Sequence, residues 1–336
     1  MVHVVLDAMG GDNAPKEIIE GALIALHDSD SIKITLCGQE ETIKGELEGR
    51  SYPADRLLIE NADEVITMDE APVMAIRRKK NSSIVRGLNL VKEKQADAFV
   101  SAGSSGAILA GGQLIVGRIK GVERPPLAPL IPSTTEKGVS LIIDCGANVD
   151  ARSSHLVQFA KMGSIYMENV LGVKNPRVAI VNIGVEEEKG NMLVKETFPL
   201  LRNCPDINFI GSIEAREIPN GGADVIVCEA FVGNVILKMY EGVGKMMLGS
   251  IKEELMKSYR GKFGGMLIKP SLKTLLKKFD ASEYGGAPLL GLNGLVVKVH
   301  GNATHKEISN AIKQCESFKT QNIGKKIADK IIIKDE

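Results

Sequence analysis

Lys189 stands in NIGVEEEKGN, residues 182–191, with Gly184 and Gly190 around it and Glu186, Glu187 and Glu188 just before it. The glycines free the backbone, so the ammonium can reach over a loop, and the three carboxylates keep it protonated. Such a cation suits an anionic ligand, although a solvated charged turn accounts for the same residues. Four further stretches set polar groups beside small residues. DAMGGDNAP, residues 7–15, holds Asp7, Gly10, Gly11 and Asp12, and SAGSSGAILAGG, residues 101–112, holds Ser101, Gly103, Ser104, Ser105 and Gly106. DCGANVDARSSH, residues 144–155, holds Asp144, Asn148 and His155, and EAFVGN, residues 229–234, holds Glu229, Gly233 and Asn234. Hydroxyls and backbone N–H groups at such places can receive an anion. Small residues also permit close helix–sheet packing, and that reading stays open for residues 101–112. His155 can be a base, a phosphate ligand or an early-helix surface histidine. Cys145 has no base adjoining it in sequence, which favours a small buried residue over a nucleophile. The first loop lacks both the P-loop lysine and the GxGxxG spacing, so no dinucleotide or nucleotide fingerprint marks it.

These loops share one kind of position. Each follows a short apolar run, at residues 2–6, 97–101, 139–143, 177–182 and 224–228, that reads as a buried strand. Helical spacing then resumes, as with Ile18, Ile19, Ala22, Leu23 and Leu26 after the first loop. Five strand ends meeting five helix starts predict an α/β fold: a doubly wound, mostly parallel sheet sandwiched by helices, with its ligand cleft at the carboxyl ends of the strands. Further strands are expected at 32–36, 57–59, 64–66 and 295–299, and Pro125, Pro126, Pro129 and Pro132 mark an extended crossing segment. Helices are expected over about 235–259 and 303–329. The whole of 1–336 reads as a single large catalytic unit with a central cleft, from which 235–282 forms a helical protrusion.

Charge narrows the partners. Lys plus Arg and Asp plus Glu both number 42, and aromatic residues make up 4% with no Trp, which disfavours nucleic acid. Five widely spaced cysteines without a C-x-x-C pair argue against a disulfide framework and a zinc site, and no metal is expected. With a strand-like run at the start in place of a signal peptide, a cytoplasmic location is expected. Two basic patches stand out. Arg77, Arg78, Lys79 and Lys80 close a helix, as a solvated end or as a docking patch for an acidic partner. Ile268, Leu272, Leu275, Leu276 and Phe279 recur at helical spacing beside Lys269, Lys273 and Lys277. Residues 252–280 carry eight Lys or Arg against three Asp or Glu, so an anionic membrane surface is a candidate partner, packing against a second copy being the alternative.

Taken in order, DAMGGDNAP, RRKKNSS, SAGSSGA, GRIKG with RPPLAP, DCGANVDA, NIGVEEEKGN, EAFVGN and YGGAPLLGL with VHG resemble the motifs of the bacterial phosphate acyltransferase family. The resemblance spans essentially the whole chain. It implies the fold type of isocitrate and isopropylmalate dehydrogenases and phosphotransacetylases, a homodimer, no cofactor, and transfer of a fatty acyl group from acyl-acyl-carrier protein to inorganic phosphate for phospholipid synthesis. Departures occur at Ser104-Ser105, where the family usually has Asn-Thr, at Glu229-Ala230, where Asp-Gly is usual, and at Cys145, where an aliphatic residue is common. Phosphate is a competent nucleophile and a thiolate a good leaving group, so the protein chiefly holds an anion and stabilises an oxyanion. The implied roles give phosphate or the oxyanion to Lys189, with Asn182, Asn148 and Asn234 as neutral donors. Asp144 or Asp12 accepts the phosphate proton or orients a donor, and the N–H groups of Gly10–Gly11 and Gly103–Gly106 complete the anion site. Arg77–Lys80 would then dock acidic carrier protein, and Ile268, Leu272, Lys273, Leu276 and Lys277 would meet the inner face of the membrane. A phosphotransacetylase acting on acyl-coenzyme A and a non-catalytic scaffold for carrier protein are the alternatives.

Overall fold

A computed structural model describes residues 1–278 and 281–331, with the side chains at 272–278 and 281–282 outside the description. Eleven strands occur among the described residues: β1 Val2–Asp7, β2 Ile32–Gly38, β3 Leu57–Asn61, β4 Ala98–Ser101, β5 Leu130–Pro132, β6 Val139–Ile143, β7 Arg177–Val181, β8 Asn208–Ile213, β9 Val225–Val227, β10 Ala287–Leu289 and β11 Leu295–Lys298. They form two sheets, in the orders β10-β11-β4-β1-β2-β3 and β5-β6-β9-β7-β8. All pairings are parallel except β10 with β11 and β5 with β6, one at the edge of each sheet. The expected parallel α/β architecture is therefore present, divided between two sheets. Proline places the two antiparallel strands at edges: Pro288 and Pro132 lack an N–H for the ladder.

The proline-marked segment joins the sheets. Leu127 bridges Leu289, Ala128 N–H donates to the Pro288 carbonyl at 3.0 Å, and the same run continues into β5 beside β6. Gln314 adds a buried tie, its Nε2 donating at 2.6 Å to the Tyr166 hydroxyl.

Each sheet has its own core because near-continuous Val, Ile and Leu runs are buried on both faces. On one side of the first sheet, Leu6, Ile34 and Val297 pack with helices Lys16–Asp28 and His305–Thr320. On the other, Val5, Phe99 and Val296 pack with helices Pro72–Arg78, Ser83–Lys92 and Ser105–Gly111. In the second sheet Leu141, Ile180 and Val225 meet helices Ser153–Val170, Met192–Arg202 and Ile323–Ile331. A fully buried side chain of this size contributes about 1.5–3 kcal/mol. The opposite face of that sheet carries a smaller cluster, covered in part by Val232, Ile236 and Leu237 of helix Ala230–Met256.

Three boundaries differ from expectation. Residues 64–66 form only a bridge, Glu64 with Ser82. The closing helix breaks at Asn322, which takes a left-handed φ of 52° between Thr320 and Ile323. Helix Ala230–Met256 starts before residue 235 because the Glu229 carboxylate caps it, accepting from Phe231 and Val232 N–H at 2.6 and 2.9 Å. A second helix, Tyr259–Lys278, follows it, and no helix among the described residues is long and apolar enough to cross a membrane.

Candidate active site

Parallel pairing lines up the polar strand ends of the first sheet. β4 lies between β1 and β11, with Leu6 opposite Val100 and Lys298 opposite Ser101, so Asp7, Ser101 and Lys298 close three adjacent strands at one level. Side chains alternate along a strand. Since Val5, Phe99 and Val296 share one core, the three polar residues two positions later share that face.

Asp7 and Ser101 are each 1% exposed, which obliges them to satisfy one another. Ser101 Oγ donates to Asp7 Oδ2 at 2.6 Å and accepts from Gly103 N–H at 3.0 Å, while Met9 N–H reaches Asp7 Oδ1 at 3.2 Å. Burial pushes the Asp7 carboxyl above its ordinary value, against the hydroxyls of Ser101 and Ser83 and the Met9 N–H. Lys298 Nζ donates to the carbonyls of Ala102, at 3.4 Å, and Val299. Burial pushes this ammonium down to about 8; Glu307, Asp7 and Asp12 oppose the shift and Lys238 adds to it.

The loops beyond these strands clasp each other, and the glycines permit it. A Cβ on Gly10 would lie 2.3 Å from Asp7 Oδ2 and 2.8 Å from Gly103 N. Gly11, at φ 100°, would bring one 2.8 Å from the Gly301 carbonyl, which accepts from Asp12 N–H at 2.7 Å. The next loop residues serve the helix: Ser104 Oγ caps it through Ala107 N–H at 3.4 Å, Ser105 is exposed, and Gly106 packs on Pro72. Gly103 N–H is already engaged by Ser101.

The second sheet supplies the other expected residues. Asp144, fully buried, accepts at Oδ1 from Leu127 and Ala147 N–H at 2.9 and 3.2 Å, and at Oδ2 from Asn148 N–H and Nδ2, both at 2.7 Å. Burial pushes its pKa up while these donors pull it down. Asn148 Nδ2 also donates to the Pro125 carbonyl at 3.0 Å, so the pair fastens the crossing segment to β6. Both ring nitrogens of His155 are engaged: Nδ1 accepts from Arg152 N–H at 3.1 Å and Nε2 lies 3.1 Å from Glu123. Burial lowers its pKa, with Glu123 opposing. Asn182 Nδ2 donates to the Lys189 carbonyl and to Ser212 Oγ, each at 3.2 Å. The half-exposed Lys189 side chain holds Glu186 Oε1 at 2.9 Å, with Gly184 beneath its stem. Asn234 is exposed in the first turns of helix Ala230–Met256.

That helix connects the two groups. Gly233 packs so closely on the Asp144 carbonyl that a Cβ would lie 2.0 Å away, and eight residues later Glu241 Oε1 meets His300 Nε2 at 3.0 Å. At 1.5 Å per residue the two contacts are about 12 Å apart. Lys238, between them, acts on Lys298 as a like charge. The Cys145 thiol, pushed up to about 12 first by burial and then by Asp144 and Glu241, is no nucleophile. The expected residues thus fall into two groups, one per sheet, and this helix touches both.

The patches separate by exposure. Arg77, Arg78 and Lys80 are exposed, whereas Lys79 Nζ holds Glu70 Oε1 and the Val65 carbonyl at 2.7 Å. Ile268 is 47% exposed; Leu272, Lys273, Leu276 and Lys277 lie outside the described side chains. Lys298 and Lys238 escape sequence reasoning. The one available signal for Lys298 is a lone charge closing the apolar run LVVK.

Comparisons with known proteins agree with this architecture. The profile of a family described as "Fatty acid synthesis protein" matches residues 2–326. A phosphate acyltransferase from Clostridium tetani is 49% identical over 331 residues, covering 98% of both chains. One from Clostridium novyi is 50% identical over 330 residues, again 98% of both. Among solved structures, a phosphotransacetylase from Streptococcus pyogenes superposes with a TM-score of 0.61 at 16% identity, covering 95% of this chain and 94% of its own. At that identity the likeness concerns the fold alone.

Proposed function

The chain belongs to the fatty acid synthesis protein family, and from that premise we propose that it transfers a fatty acyl group from the thioester of acyl-carrier protein to inorganic phosphate. The product, acyl phosphate, would feed membrane phospholipid synthesis. One observation carries the reading: about half of all residues are shared, end to end, with proteins named phosphate acyltransferase.

The two groups, one per sheet, support a division of labour. On the first, Gly10, Gly11, Ser101, Gly103 and Asp12 surround the phosphate position, with Asp12 as the proton acceptor; Ser104, Ser105 and Gly106 start the helix behind it. On the second, Lys189 is the mobile cation for the thioester oxyanion, and Asn182, Asn234 and Asn148 are neutral donors. Asp144 orients Asn148, a role in keeping with the 2.7 Å contact between them. His155 keeps the Asp144 loop in place through its helix start.

Arg77, Arg78 and Lys80 form the docking patch for acidic carrier protein, and the engagement of Lys79 narrows the patch to these three. Helix Tyr259–Lys278, which exposes Phe263, Met266, Leu267 and Ile268, meets an anionic membrane. The exposed Val235, Met239, Val243 and Met246 of helix Ala230–Met256 supply a stripe for a second copy.

The deciding assay mixes acyl-carrier-protein thioester, phosphate and protein, and traps acyl phosphate with hydroxylamine. Omission of phosphate abolishes trapping. Acyl-coenzyme A in the same assay tests the other donor, and no product from either thioester refutes the reading. Lys189→Ala, on an exposed loop, removes turnover and leaves the protein folded; wild-type turnover in it refutes the role of that lysine.

A further inference from the structure

We propose that Lys298, closing the row it shares with Ser101 and Asp7, is a catalytic residue that binds the phosphate nucleophile and passes its proton to the departing thiolate, with Lys238 clamping the anion from the opposite side. The inference rests on acyl transfer to phosphate as the function and assigns the cation that the first group otherwise lacks.

The placement argues for a ligand. Lys298 is the last residue of a parallel strand, at the sheet edge where open α/β sheets bind substrates. A half-buried ammonium is costly, and here its hydrogen bonds go to two backbone carbonyls. Lys238 makes matters worse. It comes from the helix that begins on the second sheet and adds a like charge to the surroundings of Lys298, although its own partner, Glu241 at 3.4 Å, already holds His300. Two cations that raise each other's cost suit a dianion that can answer both.

The other groups facing Lys298 are Asp7 on β1, Asp12 in the loop after it and Glu307 at the start of helix His305–Thr320. Asp7 is occupied by Ser101 and Met9, and Glu307 accepts from His300 N–H at 3.3 Å. Asp7 and Ser101 act as positioning residues: their bond fixes Gly103 and the carbonyl of Ala102 that Lys298 grips.

The step balances without a co-reactant. An oxygen of hydrogen phosphate attacks the thioester carbon, the C–O bond forms, and the C–S bond breaks with its electron pair leaving on sulfur. Lys298 gives a proton to the thiolate and recovers the phosphate proton by way of Asp12, yielding acyl phosphate and carrier thiol. An amine pushed down to about 8 is near the right strength for such a relay.

The test uses the full-length protein and the hydroxylamine assay with phosphate as the varied substrate. Lys298→Met lowers kcat about 100-fold or more, the usual worth of a proton-transfer group. Inorganic phosphate raises the thermal midpoint of the wild type, and the variant loses that shift. Lys298→Arg recovers the thermal shift but not kcat. Lys238→Met, on an exposed helix face, raises the phosphate KM severalfold, by a larger factor than any fall in kcat, and gives a second measurement should Lys298→Met fold poorly. An inactive wild type refutes the proposed function; an active wild type with kcat and phosphate KM within threefold in Lys298→Met, or an unchanged phosphate KM in Lys238→Met, refutes this inference.

Discussion

Replacing Asp144 with Asn separates a carboxylate that orients its neighbours from one that works on substrate. The native group accepts four hydrogen bonds, two at each oxygen. An amide presents one oxygen, so whichever way it turns, its NH2 faces two N–H donors that have lost their acceptor. Hydrogen bonds to a charged group contribute about 1.5–3 kcal/mol each, which puts the gross loss at about 3–6 kcal/mol. Relief from burying a charge, the same burial that pushes the Asp144 pKa up, offsets part of it and leaves about 3 kcal/mol. Unfolding entropy is about 2.1 cal/mol/K per residue, so for 336 residues this destabilisation lowers the thermal midpoint by about 4 °C. Differential scanning fluorimetry of the two proteins side by side reads it. Because the lost contacts hold residues 125–127 to β6, amide hydrogen exchange rises first at Leu127. An unchanged midpoint together with lost turnover refutes the reasoning, since the carboxylate would then act on substrate and not on Asn148.

Other outcomes follow from the same geometry. Reversing charge at Arg77, Arg78 and Lys80 raises the KM for carrier-bound substrate at low salt, an effect that fades as salt screens the patch; a salt-independent KM returns these residues to an ordinary solvated helix end. Phe263→Glu with Ile268→Glu reduces flotation with liposomes of anionic lipid, and equal flotation of variant and wild type refutes membrane contact through that helix. Lys298 makes stability depend on pH. Its folded pKa of about 8 lies below the ordinary 10.5, so the cost of the half-buried ammonium is fully present below pH 8 and is relieved as pH rises to 10.5. The span corresponds to about 3 kcal/mol. Stability therefore rises across that window in urea titrations, Lys298→Met flattens the rise, and a slope common to both proteins refutes the assignment.

Periodicity made the strands, the helices and the polar strand-end loops legible, because a buried parallel strand needs an apolar run and a helix needs its recurring apolar stripe. The division into two sheets was not legible. It depends on residues 126–132 pairing first with β10 and then with β6, and a proline-rich extended segment looks alike whether it crosses one sheet or joins two. The loops in which anion donors were expected reveal a related limit. Composition identifies Ser104 and Gly106 as small, but only packing shows that one caps a helix and the other admits Pro72.

Lys298 is the clearest case, because its chemistry is absent from its surroundings in sequence. The residues that give it meaning are Asp7, Ser101 and Lys238, which lie up to 291 positions away and reach it through three strands and a helix. The register of β1, β4 and β11 decides the outcome: a slip of one residue on β11 would turn Lys298 to the opposite face and leave Asp7 and Ser101 facing Val297 or Val299. The core prevents that slip, since Val296 and Val297 must enter separate clusters on the two faces of the sheet. The apolar residues that fix the fold therefore also fix the row, and the chemistry at its end is a consequence of how the valines pack.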